Sequence, residues 1–480
     1  MFSASLPELS GRRQLLLLLV MLAGAAAGVL ARSLDPLPLL LLGAALVGGL
    51  LTLFRVEFGV LALIFVAYTR FSDVLLEHGA PLSVVELMVA GMLLVMVLRW
   101  YFFDEMPEGW LRPAVYLGLY GLVGLASVLY ATDGELALAS WINYLQDGIL
   151  VLLLVAGLQQ AGALRRASWV LLLAGAFMGT LSVFQQVTGA FDSNFAGFSV
   201  VELEHIAGGT SGFRIGGPMG APNYYAMILL PLVPLAIDRL WHERPWPLRL
   251  AGGYALVVIL LSLIFTYSRG GVLGLLVVLG LSLVRLRRHP RFLLLLAVGG
   301  LLFLLILPAG FRARLATIPE TLLGSEGVVP TELSIRGRTS EWLVGWQMFL
   351  DHPLGGVGLD NYPVHYLDYS SELGLDWRRT GRSPHSLYLE IASETGVLGL
   401  LAFLTLIGGI YHSLAYAYRM FRLAGHEERA GLVVALAIGF TGYFTASLFL
   451  HAAYPRFFWT LVAIAFATPV VAARTAQEGA

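Results

Sequence analysis

Long apolar blocks separated by short polar connections run along nearly the whole chain, and within the blocks the apolar residues are continuous rather than alternating. Blocks such as Gln14–Ala31 and Phe292–Ala309 have about the length of a helix that crosses a bilayer. Hydropathy predicts spans near 14–31, 37–54, 56–69, 81–103, 112–131, 135–158, 166–189, 222–240, 247–267, 270–286, 290–309, 386–420, 429–449 and 457–472. The third is short and the twelfth is long. The expected fold is an all-α polytopic membrane protein with about 12–14 transmembrane helices. A porin-type barrel would need apolar residues at every second position, and these blocks lack that pattern. Gln14–Ala31 also suits a signal peptide, although it is long for one.

The one long hydrophilic stretch is 310–385. Within it, Thr339–Leu350 carries Trp342, Leu343, Trp346, Met348, Phe349 and Leu350 at helical spacing, which predicts an amphipathic helix lying on the membrane. The organisation expected is N-terminal spans over 1–200, a membrane core over 201–309, the long loop over 310–385 and C-terminal spans over 386–480. No internal repeat is evident.

Charge orients these elements. The chain has no lysine, and its 30 basic residues are all arginine. With Arg12 and Arg13 on the cytoplasmic side, Arg55, Arg99, Arg112, Arg165, Arg166, Arg239, Arg244, Arg249, Arg285, Arg287, Arg288, Arg291, Arg419, Arg422, Arg429 and Arg474 fall on that side too, while the short outer connections carry few. This is the positive-inside pattern, with both termini cytoplasmic and the long loop outside. Hydrophobic residues reach 58%, charged residues only 13%, and mean hydropathy is +0.79, which excludes a soluble multi-domain protein. The absence of cysteine excludes disulfides, thiolate catalysis and iron–sulfur clusters. The absence of lysine excludes Schiff-base and P-loop chemistry. A net charge of −1 gives no reason to expect nucleic acid as a partner.

Span parity brings four polar motifs to the outer side. Phe213–Tyr225 holds Arg214 in a glycine- and proline-rich loop, with Asn223 positioned to cap the next helix. Phe265–Gly271 carries Tyr267, Ser268 and Arg269 between two spans separated by almost nothing. A charge there is costly unless it is paired or hydrated, so Arg269 is a site candidate. In the loop, Ser334–Arg338 with Arg336 and Arg338 precedes the amphipathic helix, and the glycine run His352–Tyr362 follows it. Pro384–Gly396 opens the twelfth span with His385, Tyr388, Glu390 and Glu394. A histidine at a helix N-terminus tends to stay neutral and can act as a base. Glu390 and Glu394 would need a partner inside the membrane, with Arg269 or Arg214 as candidates. His451, Tyr454 and Arg456 form a weaker fifth group. Each motif alone also suits an ordinary loop, a snorkelling arginine or a helix cap. The outer histidines lack zinc spacing, so no metal site is expected.

Taken together, Tyr-Ser-Arg-Gly-Gly at 267–271, His-Pro-Leu-Gly-Gly-Val-Gly at 352–358 and Pro-His-Ser-Leu-Tyr-Leu-Glu at 384–390 with Glu-Thr-Gly at 394–396 resemble the O-antigen ligase and polymerase superfamily. The resemblance covers about residues 205–400. It implies a GT-C-like fold in the bacterial inner membrane with the site facing the periplasm. The implied activity is metal-independent glycosyl transfer without a cofactor. The implied donor is an undecaprenyl-diphosphate-linked glycan, and the acceptor is lipid A-core or another hydroxyl. Arg214 and Arg269 match arginines that hold the donor diphosphate, and His385 matches the histidine that activates the acceptor. Arg336 and Arg338 match less closely. Asn223, Tyr267, Ser268, Tyr388 and Glu390 are supporting candidates. O-antigen ligation to lipid A-core is the leading expectation. A polysaccharide polymerase, a protein O-glycan ligase and, more distantly, a lipid or solute transporter are the alternatives.

Overall fold

The computed structural model describes residues 48–79, 82–207, 210–286, 333–375, 382–451 and 455–478. The spans expected at 14–31 and 290–309, most of 37–54, and the side chain of Arg336 lie outside that description. Among the described residues, a helical stretch at 48–54 precedes a helical pair, α1 (Val56–Tyr68) and α2 (Phe71–Glu77), bent by 57°. Four long helices follow: α3 (Val84–Phe103), α4 (Leu111–Val128), α5 (Gly134–Gly157) and α6 (Ala163–Thr188). A hairpin of β1 (Val200–Ala207) and β2 (Thr210–Gly217) leads to the broken span α7 (Pro222–Leu229) and α8 (Leu232–His242). Then come α9 (Trp246–Phe265) and α10 (Arg269–Leu286). The long hydrophilic segment contributes α11 (Leu333–Asp351) and α12 (Tyr362–Glu372), and α13 (Leu387–Leu423), α14 (Glu427–Ala446) and α15 (Arg456–Glu478) complete the chain.

Ten helices among the described residues are long and apolar enough to cross a membrane, or eleven with the bent α1–α2 pair. The protein is an all-α multi-pass membrane protein. Leu94, Leu122, Leu173, Leu276 and Leu398 are each more than half exposed, an arrangement that only a hydrocarbon surround makes favourable. The broken span α7–α8 and α15 lie at the centre of the bundle, 83% and 78% buried, against 17% for the peripheral α3. Trp459 of α15 packs edge-on against Phe458 and Tyr144 and is fully buried.

Three local features differ from the expectations. The Arg214 loop is strand β2, paired antiparallel with β1 so that Arg214 faces Glu202. The arginines expected ahead of the loop helix lie in its first two turns, because α11 begins at Leu333. The long twelfth span is interrupted at Gly396, where φ is +64°. The break has a cause. Val357 and Gly358 donate to the carbonyls of Ser393 and Glu394, and Val397 donates back to Pro353, each within 2.9 Å. The glycine run thus inserts into the helix break. A Cβ at Gly356 or Gly396 would collide with the other segment's backbone, so only glycine fits at either position.

Candidate functional site

Arg214 is buried, with 1% exposure, within β2. Its Nε donates to the Thr266 carbonyl at 2.9 Å, and Nη2 donates to Asn223 Oδ1 at 3.1 Å. Asn223 is therefore an acceptor for Arg214 rather than the cap of α7, whose N-cap is Ala221. Thr266 begins the α9–α10 turn, and Arg269 is the first residue of α10, half-buried. Ser268 Oγ accepts from Gly271 N at 3.2 Å and so caps that helix. Tyr267 is buried with φ +53°, a left-handed conformation that costs a bulky residue about 1–3 kcal/mol.

His385 also has a positive φ, +45°, and lies two residues before α13. Besides the nearby helix start, two oxygens touch the ring. Its Nδ1 is 2.8 Å from Oε2 of Glu341, a fully buried carboxylate on α11, and 3.0 Å from the Ser383 carbonyl. Arg382 pairs with the other oxygen of Glu341. With Nδ1 so occupied, Nε2 is the nitrogen left to meet a substrate.

His451 joins the two halves. Its ring lies 4.8 Å from that of His385 and 5.7 Å from that of Tyr224, the neighbour of Asn223. Burial first, then the charges of His385, Arg338 and Arg382, push its pKa down to about 3. Its Nδ1 has no hydrogen-bond partner among the described residues. Phe449, two residues earlier, lies beside Gly270. Arg214, Arg269, Arg338, Asn223, Tyr267, Ser268 and His385 therefore border one region. Tyr388, behind it, donates to the Phe444 carbonyl at 3.1 Å.

Glu390 and Glu394 line an adjoining cavity of ≈ 220 Å³ with Ser140, Trp141, Asp147 and Asp360. The arginine partner expected for Glu394 is not what holds it, since it accepts from the amides of Asp360 at 2.9 Å and Tyr362 at 3.4 Å. Asp147 and Asn143 are shared with a second cavity of ≈ 460 Å³ that reaches Tyr224 and Arg456. The two cavities share that wall and are lined by carboxylates, amides and aromatic rings.

Sequence reasoning missed Glu341. The signal was its position on the same helical stripe as Val344 and Met348, which are fully buried. The apolar residues that drew attention to this helix, Trp342, Leu343, Trp346 and Leu350, lie on its other, exposed side.

Residues 254–404 match the O-antigen ligase family. The match takes in Arg269, Arg338, Glu341, Arg382, His385, Glu390 and Glu394, and the O-antigen ligase segment thus holds one side of the region just described. Arg214, Asn223, Tyr224 and His451 lie outside it in sequence and are brought to it by the fold. Members of this family are ligase- and polymerase-type glycosyltransferases. No curated protein matches the chain.

Proposed function

We propose that the protein transfers a glycan from an undecaprenyl-diphosphate carrier to a hydroxyl acceptor at the periplasmic face of the inner membrane, as an O-antigen ligase acting on lipid A-core. The observation that carries this reading is the His385–Glu341 pair set in one region with Arg214 and Arg269, inside a multi-pass bundle whose ligase segment matches that family.

The chemistry follows from the residue types. The acceptor oxygen attacks the anomeric carbon as the bond from that carbon to the diphosphate breaks, and the diphosphate leaves with the electron pair. Arg269 takes the developing charge, which a guanidinium fork meets bidentately at any working pH. Arg214 braces the turn that carries Arg269 and adds its own charge. The acceptor proton goes to Nε2 of His385, while the Ser383 carbonyl holds Nδ1 and the Glu341 carboxylate beside it stabilises the imidazolium that forms. Direct displacement inverts the anomeric centre. Sugars fit the adjoining cavities, where carboxylates accept hydroxyl protons and the Trp141 and Tyr224 rings offer stacking faces.

The test is incubation of purified protein with a lipid-diphosphate glycan, lipid A-core and a chelator. One en bloc addition per acceptor is the expected product. A ladder of repeats would indicate a polymerase, and counterflow in proteoliposomes with no covalent product would indicate a transporter.

A further inference from the structure

At the end of α9 remote from Thr266, about 30 Å away for twenty helical residues, a second polar site is built into the bundle. The buried Arg239 lies at its centre. It pairs with Asp238 at 2.7 Å, Glu243 at 3.1 Å and Glu428 at 3.2 Å. Glu243 is held bidentately by Arg165, at 2.9 and 2.6 Å, and accepts from Trp169 Nε1 at 2.9 Å. Beside this network is a cavity of ≈ 370 Å³ whose wall carries Arg165, Arg239, Arg244 and Arg429 against Glu243 and Glu428. The wall is therefore positive by two charges.

Three observations indicate an anionic occupant. Arg244 and Arg429 make no hydrogen bond or ion pair among the described residues, although both line the cavity. Arg239 is 1% exposed, yet its Nε has no hydrogen-bond partner there. The N-termini of α6, α9 and α14 all meet at this cavity, and none is capped by a side chain. Uncapped helix starts present amides and a partial positive charge, which suit a phosphate.

The surface beside the cavity indicates how that phosphate arrives. Trp246, Leu250, Tyr254 and Val257 are each more than half exposed and follow one face of α9 away from Pro245, which lines the cavity. An apolar lane beginning at a basic pocket matches a chain attached to a phosphate headgroup, with Trp246 at the level of the interface. We infer that this cavity binds the phosphate headgroup of an anionic phospholipid whose acyl chain lies along α9, on the side of the membrane opposite the candidate site.

The test uses the full-length protein in detergent and follows its thermal unfolding midpoint as phosphatidylglycerol, phosphatidylcholine or inorganic phosphate is added. Phosphatidylglycerol should raise the midpoint and phosphatidylcholine should not. The variant combining Arg244→Ala and Arg429→Ala should need about tenfold more lipid for the same shift, because it lacks two charges near the headgroup. Arg429→Gln alone should weaken binding several-fold, which keeps the test decisive if the double variant does not fold. Equal shifts with both lipids, or an unchanged response in the variants, would overturn the site. A shift with inorganic phosphate but with neither lipid would overturn the lipid as its occupant.

Discussion

Oε2 of Glu341 lies 2.8 Å from Nδ1 of His385, which hydrogen-bonds the Ser383 carbonyl, and the other oxygen of Glu341 pairs with Arg382. Glu341→Gln keeps the shape and removes the charge. The transfer rate should fall by about 10–100-fold, the usual effect of losing a residue that orients a reactive group, with donor affinity unchanged. Single-turnover kinetics against donor concentration separates the two, and an unchanged rate would mean that the pair has no part in the reaction. His451 supplies a pH signature. An unfolded histidine titrates near 6.5, whereas this one is held down to about 3. Between those values the unfolded chain binds a proton that the folded protein does not. Stability therefore rises with pH across that window and is lost as pH falls below about 6.5. Between about pH 7 and about pH 5, the unfolding midpoint of the wild type should drop further than that of His451→Gln, and equal drops would contradict the assignment. Arg214, Arg269 and His385 stood out in the sequence because charge and glycine are conspicuous between apolar spans. His451 stood out only weakly, as part of a fifth group near a span end, and Glu341 did not stand out at all, because a lone acid on a loop helix looks ordinary until the fold brings it to His385.

The glycine run at 353–358 and the break at Gly396 form one interlock, and its role is mechanical. It fixes the start of α13, and with it His385, against the loop that carries Asp360 and Tyr362. Gly356→Val or Gly396→Val would combine a strained backbone with a collision, and should cost about 2 kcal/mol or more. Thermal denaturation of the purified variants measures this, and wild-type midpoints would remove the interlock from the account. The sequence revealed that glycine was needed in both motifs but not that each serves the other, since the contact joins positions about forty residues apart. The hairpin was closer to legible. Val201, Glu202, Leu203 and Glu204 alternate, and Gly208-Gly209 is a turn signal, yet the surrounding helical pattern drew the reading toward a loop. The bend between α1 and α2 went unread because a short apolar run does not reveal its own direction.

Across the whole molecule, the spans were the easiest feature to read, because a bilayer demands long, continuous apolar helices and leaves a signal that tertiary packing does not blur. What hydropathy left open was which helices lie at the centre. Here the broken span α7–α8 and α15 do, and the region of Arg269 and His385 lies beside His451 and α11. With the proposed orientation, arginine serves three purposes: it biases topology, it charges the candidate site, and it lines the basic cavity at the far end of α9. The claim that joins these scales is that Arg269 receives the diphosphate while His385 takes the acceptor proton. The rate of transfer from a lipid-diphosphate glycan, measured with Arg269→Ala and His385→Ala that retain the wild-type unfolding midpoint, tests it most directly. Losses of about 10²–10³-fold are expected for the arginine and about 10²–10⁴-fold for the histidine. Transfer at the wild-type rate in either variant would contradict it.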